Sequence, residues 1–147
     1  MNAVSYEHDF YGWIQSQVAL LQTRQFEQVD LEHLIEELQI MGARERRELV
    51  NRLCVLLMHL LKWQYEPERR GKSWVNTIRE QRRMIPKHLK DNPSLKGVFQ
   101  ELWLEAYDDA RKEAALETSL PLQLFPNECL WTFEQVIDHE FWPEAAV

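Results

Sequence analysis

Eleven consecutive residues decide the architecture before anything else. Leu53-Cys54-Val55-Leu56-Leu57-Met58-His59-Leu60-Leu61-Lys62-Trp63 is apolar at almost every position. The run is shorter than the roughly 20 residues a membrane-spanning helix needs. It lies inside a longer pattern with apolar residues at three- and four-residue steps: Leu31, Leu34, Ile35, Leu38 and Met41, then Leu49, Leu53, Leu56 and Leu60. A helix apolar on all sides is a central one, covered by neighbours on several faces. Gly42 interrupts the pattern without turn chemistry, because Ala43-Arg44-Glu45-Arg46-Arg47-Glu48 are all good helix formers. A lone helical glycine costs only about 1 kcal/mol relative to Ala. The spacing therefore predicts one long helix from an Asp30 N-cap to about Gln64, unbroken or merely bent at Gly42.

The remaining segments supply partners for that helix. Phe10, Trp13, Ile14, Val18 and Leu21 predict a buried face on a first helix from about Glu7 to Thr23. After a loop over Tyr65 to Lys72, Ser73 caps a third helix with Trp74, Ile78, Arg82, Ile85 and Leu89 as its inner stripe. Pro86 within it is expected to bend or interrupt it. Asn92-Pro93-Ser94 opens a fourth helix to about Thr118, where Ala106, Ala110 and Ala114 permit close approach of a neighbour. Thr132 and Gln135 fit a capping box for a short C-terminal helix. Alternating strand patterns are absent, and short connections favour antiparallel neighbours. The prediction is all-α: an antiparallel bundle of about four helices with a long central helix and a short C-terminal one, in a single domain over 1–147.

Composition narrows the function classes. At 147 residues and 45% hydrophobic, the chain can bury a core without disulfides or metal. Two cysteines are too few for a disulfide framework, and Glu7 and Asp9 stand where a secretory signal would be basic and then apolar. A cytoplasmic protein with no membrane span is expected. The net charge of −7 argues against a generic nucleic-acid binder. Yet residues 62–90 hold nine Lys/Arg against three Glu. There Lys62, Arg69, Arg70, Lys72, Arg79 and Arg83 interleave with Trp63, Tyr65 and Trp74, as single-stranded nucleic acid would require. The competing reading has the cations neutralising an acidic fourth helix and the tryptophans in the core.

Several constellations could carry chemistry. An arginine on a core stripe keeps its proton and needs an anionic or carbonyl partner. Antiparallel packing sets Arg82 roughly opposite Val55 and near Glu101 and Glu105 on the fourth helix, with His59 within about a turn. This meeting reads either as a structural ion pair or as a catalytic pocket with His59 as base, Arg82 as phosphate stabiliser and Glu105 as orienting acid. Glu32, His33, Glu36 and Glu37 have helical metal-ligand spacing, but Glu-x-x-His occurs nowhere, and no metal or cofactor is expected. Glu37 and His59, 22 residues apart, stand about 33 Å apart on an unbroken helix. Gly71-Lys72-Ser73 lacks both the upstream glycine and the strand of a phosphate loop. Cys54, among apolar neighbours, should be an inert thiol of high pKa.

Several segments form a pattern in order along the chain: Asp9-Phe10-Tyr11-Gly12-Trp13, Leu34-Ile35-Glu36-Glu37-Leu38-Gln39-Ile40-Met41-Gly42, and His59-Leu60-Leu61-Lys62-Trp63. Ser73-Trp74, Thr77-Ile78, Gln81-Arg82, Pro93-Ser94-Leu95, Ala106-Tyr107, Glu117-Thr118 and Phe125-Pro126 through Cys129 extend it. Over about residues 7–142 this pattern resembles a bacterial, mainly cyanobacterial, family known as domain of unknown function 29. Leu130 departs from the proline expected after that cysteine. The resemblance implies a helical bundle in a bacterial cytoplasm and marks Glu36, Glu37, His59, Trp63, Trp74 and Arg82 as parts of a family pattern; it implies no activity. The sequence thus favours a non-enzymatic module that engages a protein partner or a second copy of itself, with Trp131, Phe133, Phe141 and Trp142 as anchors unless they fold back over the bundle. The alternative is a nucleic-acid-binding protein or small ribonuclease using the 62–90 segment.

Overall fold

Asp9, Asp30 and Thr132 each start a helix by accepting a backbone N–H of its first turn. In the computed structural model, which describes residues 5–146, the helices are α1 (Phe10–Gln22), α2 (Leu31–Tyr65), α3 (Lys72–Asp91), α4 (Phe99–Thr118) and α5 (Phe133–Ile137). Short 3-10 turns lie at Phe26–Gln28, Pro67–Arg69, Pro93–Val98 and Leu122–Leu124. No strand occurs among the described residues, and the fold is all-α. None of the described helices is long and apolar enough to cross a membrane.

α2 continues through Gly42, as the absence of turn chemistry requires. A Cβ added at Gly42 would meet nothing within 4 Å, so no packing demands the glycine. Two other expectations need correction. Ser73 does not cap α3; Gly71 holds the cap position in extended conformation and Lys72 begins the helix. Of the bend or interruption expected at Pro86, the interruption does not occur, even though an interior proline costs about 3 kcal/mol. Burial of Ile78, Ile85 and Leu89 along the same helix outweighs that cost. Pro93 opens a six-residue 3-10 stretch, and α4 starts only at Phe99.

The described residues fall into two compact units, divided between Ala43 and Arg44. In the Arg44–Val147 unit the chain runs up, down and up. Contacts of Glu48 with His88 and of Arg52 with Gln81 set α3 antiparallel to α2. Contacts of Arg46 with Glu101 and of Lys62 with Glu117 set α4 parallel to α2. Leu49, Leu53, Leu56, Leu57 and Leu60 are completely buried, as are Ile78, Ile85, Ala106, Ala110 and Ala114. The three alanines let α4 approach its neighbours closely, as their spacing predicts. Trp131, Phe133, Phe141 and Trp142 fold back against this core instead of projecting from it.

The C-terminal segment raises a different problem, because carbonyls in its irregular stretches and at the end of the short α5 lack a regular helix or sheet partner. Side chains of the bundle do so. Arg111 donates to the carbonyls of Leu122 and Phe125, and the Tyr107 hydroxyl to that of Pro126. Arg82 donates to Val136 and Phe141, and Arg70 to Pro143.

In the unit ending at Ala43, α1 runs antiparallel to the first part of α2. The Trp13 indole donates to the Asp30 carboxylate at 3.0 Å, and the Gln17 side chain accepts the Asp30 N–H at 2.7 Å. Gly12 stands in the first turn of α1 because an added Cβ would lie 2.3 Å from the Asp9 carboxylate that caps it. Among the described residues of this unit, only Trp13 and Gln17 are buried.

Candidate functional site

The proposed meeting of His59, Arg82 and a glutamate does not form. Arg82 is 2% exposed and spends its guanidinium on the carbonyls of Val136 (2.7 Å) and Phe141 (2.6 Å), with the Trp142 ring 5.0 Å away. Burial works against its charge, which Asp138 partly offsets. Glu101 and Glu105 are taken instead by Arg46 and Arg47. The C-terminal segment competes for the same arginine, and its carbonyls win because they face the inner stripe of α3. His59 is half-buried, with Nδ1 2.8 Å from the Val55 carbonyl one turn back. Burial pushes its pKa down; the Val55 contact opposes this, and the Lys62 ammonium reinforces it. Among the described residues, no hydrogen bond or ion pair links His59 with Arg82 or Glu105.

The basic segment is divided between interior and surface. Lys62 is buried, bonded to Glu117 at 3.0 Å and set over the Trp74 ring at 4.9 Å. Arg70 donates to the Trp63 carbonyl and lies over the Trp63 ring at 4.9 Å, while Trp142 packs on that ring at 4.6 Å. Arg69 is exposed, 3.9 Å from Glu66, and Lys72, Arg79 and Arg83 are exposed. Trp63 and Trp74 are thus engaged by cations and rings of their own chain. Cys54 is half-buried, and burial raises its thiol to about 11, the inert state expected of it.

One group of ligand-type atoms escaped the search for Glu-x-x-His. Glu45 and Glu48 on α2 and His88 on α3 bring ligand atoms within 4.8 Å of one another. The two glutamates are three residues apart, but the histidine comes from another helix, so no local spacing reveals the group. His88 lies 2.6 Å from the Glu48 carboxylate through Nδ1 and 2.9 Å from the Glu45 carbonyl through Nε2. Arg52 stands 3.8 Å from the same Glu48. With both ring nitrogens engaged and a cation already present, the group is a polar clamp between α2 and α3, not an open ligand set.

The apolar face of the unit ending at Ala43 is different in kind. Phe10, Val18 and Leu21, expected in a core, are exposed. With Leu34, Leu38 and Met41 of α2 they line an open groove of about 220 Å³, whose polar lining is Gln17 and Glu37. Leu31 and Ile35 extend the apolar strip along α2. One end of the hairpin is fixed by a polar and aromatic cluster. His33 Nδ1 lies 2.7 Å from the Asp30 carboxylate, and Tyr6 stacks on the His33 ring at 4.0 Å. The Tyr6 hydroxyl donates to Glu37, a bond that raises its pKa to about 12. The contact with His33 holds Asp30 below the usual carboxylate range and raises His33 in turn. Of the two marked glutamates, Glu37 therefore lines the groove, while Glu36 is exposed and is not part of its lining. Amphipathic spacing identified these positions as apolar-facing; it carries no information on whether anything covers them.

No curated protein and no solved structure matches the chain. The family model described as Domain of unknown function DUF29 matches residues 5–142, nearly the whole length, and the chain belongs to that family.

Proposed function

We propose that the chain is a protein-interaction module of the bacterial cytoplasm, with the apolar face of the Met1–Ala43 unit as its docking surface. One observation carries this reading. Of fourteen exposed large hydrophobic side chains among the described residues, ten lie between Phe10 and Met41. Scattered exposed apolar residues need no explanation, but five of these ten, Phe10, Val18, Leu21, Leu38 and Met41, line one groove, and a contiguous apolar surface supports a binding role. Two helices that bury little more than one tryptophan have no core of their own to justify so many apolar positions. The unpaired thiols of Cys54 and Cys129 suit a reducing compartment.

Against the enzymatic alternative, His59, Arg82 and Glu105 each bond a separate partner. Against a nucleic-acid surface, the Trp63 ring is already contacted by both Arg70 and Trp142. The test is a photoreactive amino acid placed at Leu31 or Leu38 of the full chain in its native cells, with Lys87 as control position. Position-specific cross-links to a protein from the first two sites are expected. Absence of protein cross-links there, or equal cross-linking from Lys87, would refute the reading.

A further inference from the structure

Building on that docking role, we infer that the groove between α1 and the first part of α2 takes a cationic amphipathic helix from another protein. Leu31, Leu34, Leu38 and Met41 follow a three-four-three spacing, the seam that receives the side-chain knobs of a facing helix. On a helix of 3.6 residues per turn these side chains form one strip, with Glu37 along one border and Ile35 along the other, while Glu32 and Glu36 lie toward the opposite face. An apolar strip bordered by a carboxylate, in a unit rich in further carboxylates, is complementary to a helix with an apolar stripe flanked by Lys or Arg.

The charge of the unit selects this occupant over a second copy. Residues 1–43 carry seven carboxylates (Glu7, Asp9, Glu27, Asp30, Glu32, Glu36 and Glu37) against Arg24 alone. Self-association through this face would set like charges against each other. Helix α3 of another copy is basic, but its apolar stripe of Ile78, Ile85 and Leu89 is already buried in its own bundle. At roughly 200 Å² per large side chain, the exposed fractions of Phe10, Val18, Leu21, Leu31, Leu38 and Met41 amount to about 600 Å² of apolar surface. That is near the upper end for a monomer's largest patch and close to one side of a standard interface.

The probe is a labelled peptide of about 18 residues, long enough as a helix to span the strip. It carries Leu at heptad a and d positions and Lys at the flanking ones. Two controls replace every Lys by Glu or scramble the same composition. Binding to the full-length protein is followed by fluorescence anisotropy between about 50 and about 300 mM salt, a range over which screening of exposed charges grows strongly. The Lys peptide should bind at least about tenfold more tightly than either control, a difference of about 1.4 kcal/mol, and weaken as salt rises. Leu38→Asp and Leu31→Asn, both at exposed positions, should reduce binding at every salt concentration. Glu37→Gln, which removes the carboxylate that lines the groove, should flatten the salt dependence, and Glu113→Gln on α4 should leave it unchanged.

Equal binding of Lys and Glu peptides, or indifference to Leu38→Asp, would overturn the inference. So would a wild-type dimer in sedimentation that Leu38→Asp dissociates, which would make a second copy the occupant. If the Lys peptide fails while Leu31 and Leu38 still cross-link to a protein in cells, the partner's chemistry is wrong and the docking role stands. Failure of both removes the docking role as well.

Discussion

Replacing Arg82 by Met should loosen the C-terminal segment while leaving the long helices in place. The guanidinium makes two short, charge-assisted hydrogen bonds to the carbonyls of Val136 and Phe141, in a setting where Arg82 itself is 2% exposed. A hydrogen bond to a charged group contributes about 1.5–3 kcal/mol, and a buried acceptor left without a donor costs about 1–3 kcal/mol. Methionine fills similar volume and removes the cost of burying a cation, which offsets part of the loss. The net destabilisation is about 2–4 kcal/mol. With a urea dependence of about 1.5 kcal/mol/M, the midpoint should fall by about 1.3–2.7 M. Arg82→Lys should lose roughly half as much, since an ammonium replaces the planar fork by a single point of contact. Chymotrypsin provides an independent readout: cleavage after Phe133 and Phe141 should accelerate in Arg82→Met, whereas sites within α2 stay protected. A midpoint within about 0.3 M of wild type, with unchanged cleavage, would refute the reasoning.

Three further outcomes follow from particular side chains. Gly42→Ala should stabilise the protein by about 0.5–1 kcal/mol in urea melts, because the residue is mid-helix and exposed with nothing near its Cβ position; destabilisation would reveal a close contact at that point. Ala110→Leu should cost about 1–3 kcal/mol or more, since Ala110 is fully buried on the face where α4 meets its neighbours; an unchanged melting temperature would contradict that close approach. His59 has a folded pKa below its unfolded value of about 6.5, so its contribution is present above that pH and is lost as pH falls toward the folded pKa. His59→Gln should therefore show a shallower acid loss than wild type below about pH 6.5; parallel curves would refute this origin.

What could be read from the chain alone was whatever depends on near neighbours in sequence. The continuity of α2 through Gly42, the small-residue face of α4 and the Thr132–Gln135 capping box are local features, and each takes the expected form. Pro86 read locally allows a bend or an interruption, and burial spread along the whole helix keeps α3 continuous past it. Arg82 misled because helical spacing does not say which partner a buried arginine meets: nothing announced that the carbonyls of Val136, at the end of α5, and of Phe141 would claim it before any glutamate. The groove shows a third limit. Phe10, Val18 and Leu21 have the spacing of core residues, and a face built for a partner has the same spacing as one built for the protein's own interior.

The central claim is that the hairpin of the Met1–Ala43 unit presents an uncovered apolar face, stabilised fully only when another helix lies on it. Amide hydrogen exchange of the full-length protein, alone and with the Leu/Lys peptide, tests it most directly. In the protein alone, amides of Phe10–Gln22 should exchange much faster than those of Leu49–Leu61, because few buried contacts oppose their opening. Added peptide should slow exchange in α1 and in 31–41 while leaving 49–61 unchanged. Protection of α1 equal to that of Leu49–Leu61 in the protein alone, with no further change on adding peptide, would contradict the account.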